Sequence, residues 1–195
     1  MVTRVTLKVE EVFADHPTLE SERLLLRKIA PEDAPAMHAY TSDPEMVRHL
    51  PLNQTYTLED AQRSVRGFME MYAARKSAPW GVSLKDTGEH IGICGFENWN
   101  AQTDRAEIGF IIAKSQWGRG YATEAAKRVM RFGFEVMQLN RLEARTKSEN
   151  IASKHVLARL GLQYEGLLRE HSYWKGAYHD LELYAVLKRE FEALG

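Results

Sequence analysis

Apolar and polar positions alternate along the chain with two periods, close to two and close to 3.6 residues, and the changes between them mark out its elements. ERLLLRKI (22 to 29) reads as a β-rich run, and Pro31-Glu32-Asp33 opens a helix, since proline and carboxylates favour a first turn. That helix is expected to run to about Ser42, where Asp43-Pro44 breaks it. After a polar loop around Asn53, Thr57 caps a second helix, with Asp60 three residues on and Ala61, Val65, Phe68, Met69 and Tyr72 along its inner face. WGVSLKDTGEHIGICGFENW (80 to 99) is a hairpin pattern folded at Asp86-Thr87-Gly88-Glu89, with glycine where a positive φ is needed. Thr103-Asp104 then precedes a buried strand from Glu107 to Ala113, a glycine-bearing turn from Trp117 to Ala122, and an amphipathic helix from Tyr121 to about Met137. RLEARTK (141 to 147) alternates Leu142, Ala144 and Thr146 with charged positions, as a strand does. SENIASKHVLARLGL (148 to 162) is a short helix ended by Gly161, and the following residues read as two strands joined near Lys175-Gly176. Residues 1 to about 20 are a strand-like or loose lead-in that ends at His16-Pro17.

A chain of 195 residues is long enough for one well-filled core and short for two, which suggests one domain over residues 21–190 after the lead-in. Apolar residues at 44% and charged ones at 27% exclude the disordered and fibrous classes. A net charge of -1 and a pI near 6.7 leave no basic footprint, which argues against nucleic acid or an anionic membrane as partner and for a small molecule or a peptide end. The single cysteine, Cys94, lies in the apolar run HIGICGF, so no intramolecular disulfide is possible and a core role is the expectation. The opening residues alternate too often with charge for a signal peptide, and no run approaches the ~20 apolar residues of a membrane helix, so a cytoplasmic location is the simplest expectation. No His/Cys/Asp cluster has metal-ligand spacing, and no metal is expected.

The order strand, glycine turn, helix between Ala106 and Arg131 describes an anion site. Backbone N–H groups of such a turn converge, the helix N-terminus adds partial positive charge, and glycine lets a phosphate approach the main chain. Two familiar phosphate motifs fail on spacing. A nucleotide P-loop needs Gly-x-x-x-x-Gly-Lys-Ser/Thr, whereas after Gly109 the pair Lys114-Ser115 comes one residue early with Ala113 in place of the second glycine, and a dinucleotide fingerprint needs glycine or alanine at position 123, where Thr123 stands.

Trp117-Gly118-Arg119-Gly120-Tyr121-Ala122 resembles the pyrophosphate loop of the GNAT N-acetyltransferases, whose pattern is Gln/Arg-x-x-Gly-x-Gly/Ala. Gly120 and Ala122 fill its last two fixed positions; Trp117 stands at the first, with Gln116 one residue outside the register. ERLLLR at the start, Asn150-Ile151-Ala152-Ser153 with Leu160-Gly161-Leu162, and the closing EGLLRE and GAYHDLELYAVL extend the resemblance over residues 22–188. The string WGRGYATEA and those last strands are similar to the branch that acetylates ribosomal-protein N-termini. The resemblance implies an α/β (α+β) fold, a central mostly antiparallel mixed sheet of about seven strands with about four helices in the order β-α-α-β-β-β-α-β-α-β-β.

It also implies acetyl-CoA as cosubstrate. The pantetheine would pair with the backbone of Phe110, Ile111, Ile112 and Ala113, and the pyrophosphate would lie on Trp117, Gly118, Arg119, Gly120, Tyr121, Ala122 and Thr123. Glu107 resembles the glutamate that histone acetyltransferases use as base; the same position equally suits a carboxylate facing solvent or paired with an arginine. Ser153 matches the serine that the ribosomal branch uses as acid toward the coenzyme sulfur, Leu157 standing where many relatives carry a tyrosine; it also suits a simple hydrogen bond within a first helical turn. Asn150 suits either coenzyme contact or helix capping. Where that branch has a second glutamate late in the chain, this sequence has Ser172, with Glu170 two residues away. His171, Tyr173, Trp174, Tyr178 and Asp180 are expected on the strands that wall the acceptor cleft. The expected acceptor is a primary amine, first the N-terminal α-amino group of a protein or peptide. A polyamine or aminoglycoside, or a non-catalytic acyl-CoA sensor, remains open, as does a monomer or homodimer. The segment Asp43 to Asp60, which borders the acceptor in this fold, mixes Asp43, Glu45, Glu59 and Asp60 with Arg48 and His49.

Overall fold

The lead-in forms a helix, α1 (Val9–Val12), where a strand or loose segment was expected. Val9, Val12 and Phe13 recur at helical spacing, so one face of this turn is apolar even though the charged residues between them imitate a strand alternation. Phe13 is 1% exposed and its ring lies 6.1 Å from those of Trp80, Trp99 and Phe132. Two side chains fasten the segment that follows: the His16 Nε2–H donates to the Ala78 carbonyl at 3.0 Å, and the Trp80 indole donates to the Pro17 carbonyl at 2.6 Å. The computed structural model describes residues 8–51 and 56–193; the loop expected around Asn53 lies outside the described residues.

The chain then alternates strands and helices in the expected order. β1 (Leu19–Glu20) and β2 (Leu24–Arg27) precede a 3-10 turn at Pro31–Asp33, which leads into α2 (Ala34–Thr41). Asp43-Pro44 ends that helix and at once starts another, α3 (Pro44–Val47), because the Asp43 carboxylate accepts from the Glu45 N–H at 2.8 Å and proline suits the first helical position. α4 (Leu58–Ala73) begins at the predicted Thr57/Asp60 capping box and buries Ala61 and Val65; Met69, expected inside, is 42% exposed. β3 (Trp80–Leu84), β4 (His90–Asn100) and β5 (Arg105–Ile112) form the meander, followed by α5 (Tyr121–Glu135), β6 (Arg141–Thr146) and α6 (Ile151–Arg159). β7 (Gln163–Trp174) and β8 (Ala177–Leu187) pair as a long hairpin across Lys175 and Gly176, both at positive φ, and α7 (Lys188–Ala193) closes the described chain.

One sheet of eight strands results, in the order β1-β2-β3-β4-β5-β6-β8-β7. All neighbours are antiparallel except β5 and β6. This is the expected mixed, mostly antiparallel sheet, with the two-residue β1 and the short α1, α3 and α7 added to the elements legible beforehand. α5 covers one face through Ala125, Ala126, Val129 and Met130, all fully buried against β4, β5 and β2. α2 and α4 cover the other face, packing with Ile29, Ile93 and Ile111. Cys94 sits in the first of these cores, and burial pushes its thiol pKa up, as a structural cysteine's should be. Among the described residues no helix is long and apolar enough to cross a membrane.

Because Phe13 is fully enclosed, Phe13→Ala is expected to cost about 3–5 kcal/mol in urea unfolding, whereas Met69→Ala on the open side of α4 should stay within ~0.5 kcal/mol of wild type. Equal effects from the two would contradict this assignment of inside and outside.

Candidate active site

β5 pairs with β4 along most of its length but with β6 at only three positions, Arg105↔Arg141, Ala106↔Leu142 and Glu107↔Glu143. Beyond Glu107 the two parallel strands part, so residues 108–112 have no partner on that edge among the described residues. An edge of this kind offers backbone N–H and C=O groups to anything extended that enters. Phe110, Ile111, Ile112 and Ala113, the predicted pantetheine segment, lie on it or directly after it.

Past β5 a 3-10 turn (Lys114–Gln116) delivers the chain to Gly118 and Gly120, whose φ values are 75° and 83°. L side chains rarely adopt that conformation, and the two glycines bend the chain so that α5 starts at Tyr121. No backbone N–H from Gly118 to Thr123 finds an acceptor among the described residues; the ladder resumes with Glu124 N–H to the Gly120 carbonyl at 3.0 Å. Unpaired amides at a helix N-terminus meet the electrostatic requirement for a pyrophosphate. The Trp117 side chain is engaged elsewhere, its indole N–H donating to the Ile112 carbonyl at 2.7 Å, so at the first position of the loop pattern only the main chain is available. Gln116 is buried and lies 3.5 Å from Glu89, away from the loop.

Arg23, from the ERLLLR run, braces this loop. Its guanidinium donates to Glu124 at 2.7 Å and to the Arg119 carbonyl at 3.0 Å and lies 4.5 Å over the Tyr121 ring, while Ser21 adds a second bond to Glu124 at 2.8 Å. The Glu124 contact holds the Arg23 pKa above its ordinary value. Reading the sequence assigned Arg23 no role; its only signal was membership of the β2 signature.

Glu107 stands where β5 and β6 begin to part, on the sheet face that carries α2 and α4. It forms an ion pair with Arg145 of β6, and Asn98 donates to it at 3.1 Å. Of the alternatives open for Glu107, the arginine-paired carboxylate is the arrangement present. Arg145 also donates to His171 Nε2 at 3.0 Å; arginine cannot accept, so the proton sits on Nδ1 and goes to Ser172 Oγ at 2.9 Å. The late-strand position of the ribosomal branch is therefore tied to Glu107 through two side chains. The Glu170 backbone N–H bonds the Asp180 carboxylate at 2.7 Å at a bulge in β7. Tyr173 and Tyr178 stack edge-on at 4.9 Å and are 63% and 66% exposed, and Trp174 stacks on His179 at 4.4 Å.

On the other side of the opening, Asn150 caps α6 by accepting the Ser153 N–H at 3.2 Å. Ser153 is half-buried, and its hydroxyl makes no hydrogen bond among the described residues. Leu157 is buried at 1% exposure, so no phenol occupies that face of α6. A group missed in the sequence is Glu97 of β4, the register partner of Glu107. Its carboxyl lies against Gly109 and is raised in pKa by desolvation and by the Glu107 charge.

Residues 23–163 match the family described as the acetyltransferase (GNAT) domain. The chain belongs to the GNAT acetyltransferase family. It is 35% identical over 174 residues to the uncharacterized N-acetyltransferase p20 of Bacillus licheniformis, covering 89% of this chain and 98% of that protein. The structure of a GNAT-family acetyltransferase from Bacillus anthracis superposes with a TM-score of 0.79 at 29% identity, covering 89% of this chain and all of that one. Over about half the chain, relatives divide between a putative ribosomal N-acetyltransferase, YdaF of Bacillus subtilis (36% over 105 residues; 54% of this chain, 57% of that protein), and the spermidine N(1)-acetyltransferase of Escherichia coli (31% over 106 residues; 54% and 57%). As a GNAT enzyme the chain is an acyltransferase, and the family's acetyl donor is acetyl-CoA.

Gly120→Val is expected to abolish coenzyme A binding in calorimetry. The strain at φ 83° amounts to only about 1–2 kcal/mol, roughly 2–8 °C in melting temperature, so the domain should stay folded. Wild-type affinity in the folded variant would remove the loop from the coenzyme site.

Proposed function

We propose that this enzyme transfers acetyl from acetyl-CoA to the α-amino group of a protein or peptide, a ribosomal protein being the first candidate. In this reading the amides of residues 117–123 hold the pyrophosphate, and the open edge of β5 from Phe110 to Ala113 takes the pantetheine as an added strand and offers an N–H to the thioester carbonyl. A carboxylate on the α2/α4 face, Glu107 in the sequence reading, receives the amine proton. Ser153, whose hydroxyl is free of other bonds, supplies a proton to the departing thiolate.

The observation that carries the choice of acceptor is the charge of the cleft wall. A polyamine or aminoglycoside brings several positive charges and needs several unpaired acids. Those of the 43–60 segment are all engaged: Asp43 caps α3, Glu45 pairs with Lys114, and Glu59 and Asp60 pair with Arg63. The facing wall carries two lysines, of which Lys147 also pairs with Glu149 at 3.1 Å. Lys175 at the tip of the β7–β8 hairpin donates to the Val47 carbonyl at 2.6 Å, and Lys147 lies 5.8 Å over the Trp174 ring. Desolvation and the charge of Lys147 lower the pKa of Lys175, a mark of two cations held together. A peptide N-terminus brings one charge, and its α-amino pKa of ~7.7–8.0 leaves little deprotonation to be done at neutral pH. The relatives named above include both acceptor classes, which is why charge and not kinship supports the choice.

Two measurements test this. In competition at equal concentration, short peptides with free N-termini should be acetylated in preference to spermidine and an aminoglycoside; acetylation of either of the latter with peptides untouched would overturn the acceptor assignment and leave acetyl transfer standing. Ser153→Ala should lower kcat by about 10²-fold with coenzyme affinity unchanged, since the Asn150 cap uses only the Ser153 backbone. Unchanged kcat would remove Ser153 from the chemistry.

A further inference from the structure

Two carboxylates face each other across β4 and β5 at the mouth of the opening, and their surroundings differ. Glu107 is enclosed, its side chain 12% exposed, and both of its oxygens are taken by Arg145, with Asn98 adding a donor to one of them. Glu97 makes no hydrogen bond or ion pair among the described residues. A Cβ placed on Gly109 would stand 3.3 Å from Glu97 Oε1, so the carboxyl reaches over β5 at the one residue of that stretch with no side chain to block it. That position is next to Phe110, where the open edge begins to serve the acetyl donor in the reading above, on which this inference rests. We propose that Glu97, and not Glu107, takes the proton from the acceptor amine, while Glu107 and Arg145 act as positioning residues that set its charge environment.

The chemistry follows from the two environments. A carboxylate already bonded to a guanidinium has its lone pairs engaged and is a poor proton acceptor, whereas an unpaired neighbour is free to accept. Desolvation over Gly109 and the nearby Glu107 charge raise the Glu97 pKa, and the Arg145 charge opposes them; these are the charged groups that face it, with His171 beyond Arg145. A raised carboxyl pKa brings the base nearer the amine it serves. In the reaction one N–H proton of the ammonium acceptor passes to a Glu97 oxygen. The freed lone pair forms the C–N bond at the thioester carbonyl as the C–S bond breaks, and the second proton lost by nitrogen balances the one gained by the sulfur. Glu97 is open to solvent as a residue, so it returns its proton to water after each turnover.

The sign of the pH dependence is fixed by this arrangement. Glu97 works as a carboxylate, so activity falls as pH drops through its raised pKa. Removing the Glu107 charge leaves the Arg145 charge unopposed and moves that fall to lower pH.

The test uses full-length enzyme with acetyl-CoA and a peptide bearing a free N-terminal alanine, with spermidine in parallel. Glu97→Gln is expected to lose about 10²–10⁴-fold in kcat and the acid limb of kcat/KM, with coenzyme A affinity unchanged in calorimetry. Glu107→Gln is expected to keep an acid limb but to shift it to lower pH, whereas Glu97→Gln loses the limb. Carbon NMR titration of the Glu97 carboxyl, which needs no acceptor, should show a pKa above the ordinary carboxylate range that drops in Glu107→Gln. A Glu97→Gln enzyme within about threefold of wild type, or an ordinary Glu97 titration indifferent to Glu107→Gln, would overturn the proposal. Failure of the wild type on both amines would instead count against the acceptor assignment, and the titration would still decide the role of Glu97.

Discussion

The opening in this sheet depends on how briefly β5 and β6 touch. The strands are parallel, and their backbone pairing among the described residues is confined to their start, where the Asp104 carbonyl accepts from the Asn140 and Arg141 N–H groups at 2.8 and 3.2 Å and Glu143 takes Arg105 and Arg141; the Glu107–Arg145 ion pair ties them just beyond. Each strand has a full antiparallel partner on its other side, β4 for β5 and β8 for β6. Two half-sheets are thus hinged at one end and diverge at the other, and the divergence exposes backbone polar groups that a folded protein would otherwise pair. An extended ligand with amide groups satisfies that edge.

The glycine turn proposed to hold the phosphates is built by a separate device beside the first. Gly118 and Gly120 turn the chain into α5 with its leading amides free, and Arg23, arriving from β2, ties the loop carbonyl, the α5 carboxylate Glu124 and the Tyr121 ring into one cluster. The arginine is thereby neutralised by Glu124 while remaining beside the place where phosphate charge would sit. Helix α5 can hold its orientation because its small residues press directly on the sheet; a Cβ on Gly133 would lie 2.9 Å from the Phe96 ring.

The acceptor side is governed by charge pairing. Arg145 links Glu107 to His171 and thence to Ser172, so residues from β5, β6 and β7 share one network across the opening. Lys114 and Lys175 fasten α3 from two sides, the first through Glu45 and the second through the Val47 carbonyl. The short helix between them is therefore a held wall of the cleft, and its acids are not available to an incoming polycation.

Local chemistry made much of this legible in the residues alone. The glycine turn before α5 and the Thr57/Asp60 box depend on residues within a few positions of one another and were read where they stand, and for Asn150 capping was one of the two readings left open. The helix at Val9–Val12 and the outward Met69 were misread because charged residues between apolar ones fit two periods at once, and only packing chooses between them. Which carboxylate is paired and which is free lay beyond the sequence altogether. Glu107 and Arg145 are brought together across the parallel strands, Glu97 reaches Gly109 from the antiparallel neighbour, and Arg23 meets Glu124 across the chain. A sequence states the residues and their local spacing, and therefore the glycine turn and the helix caps. Strand register decides which charges neutralise one another, and that register exists only once the sheet has formed.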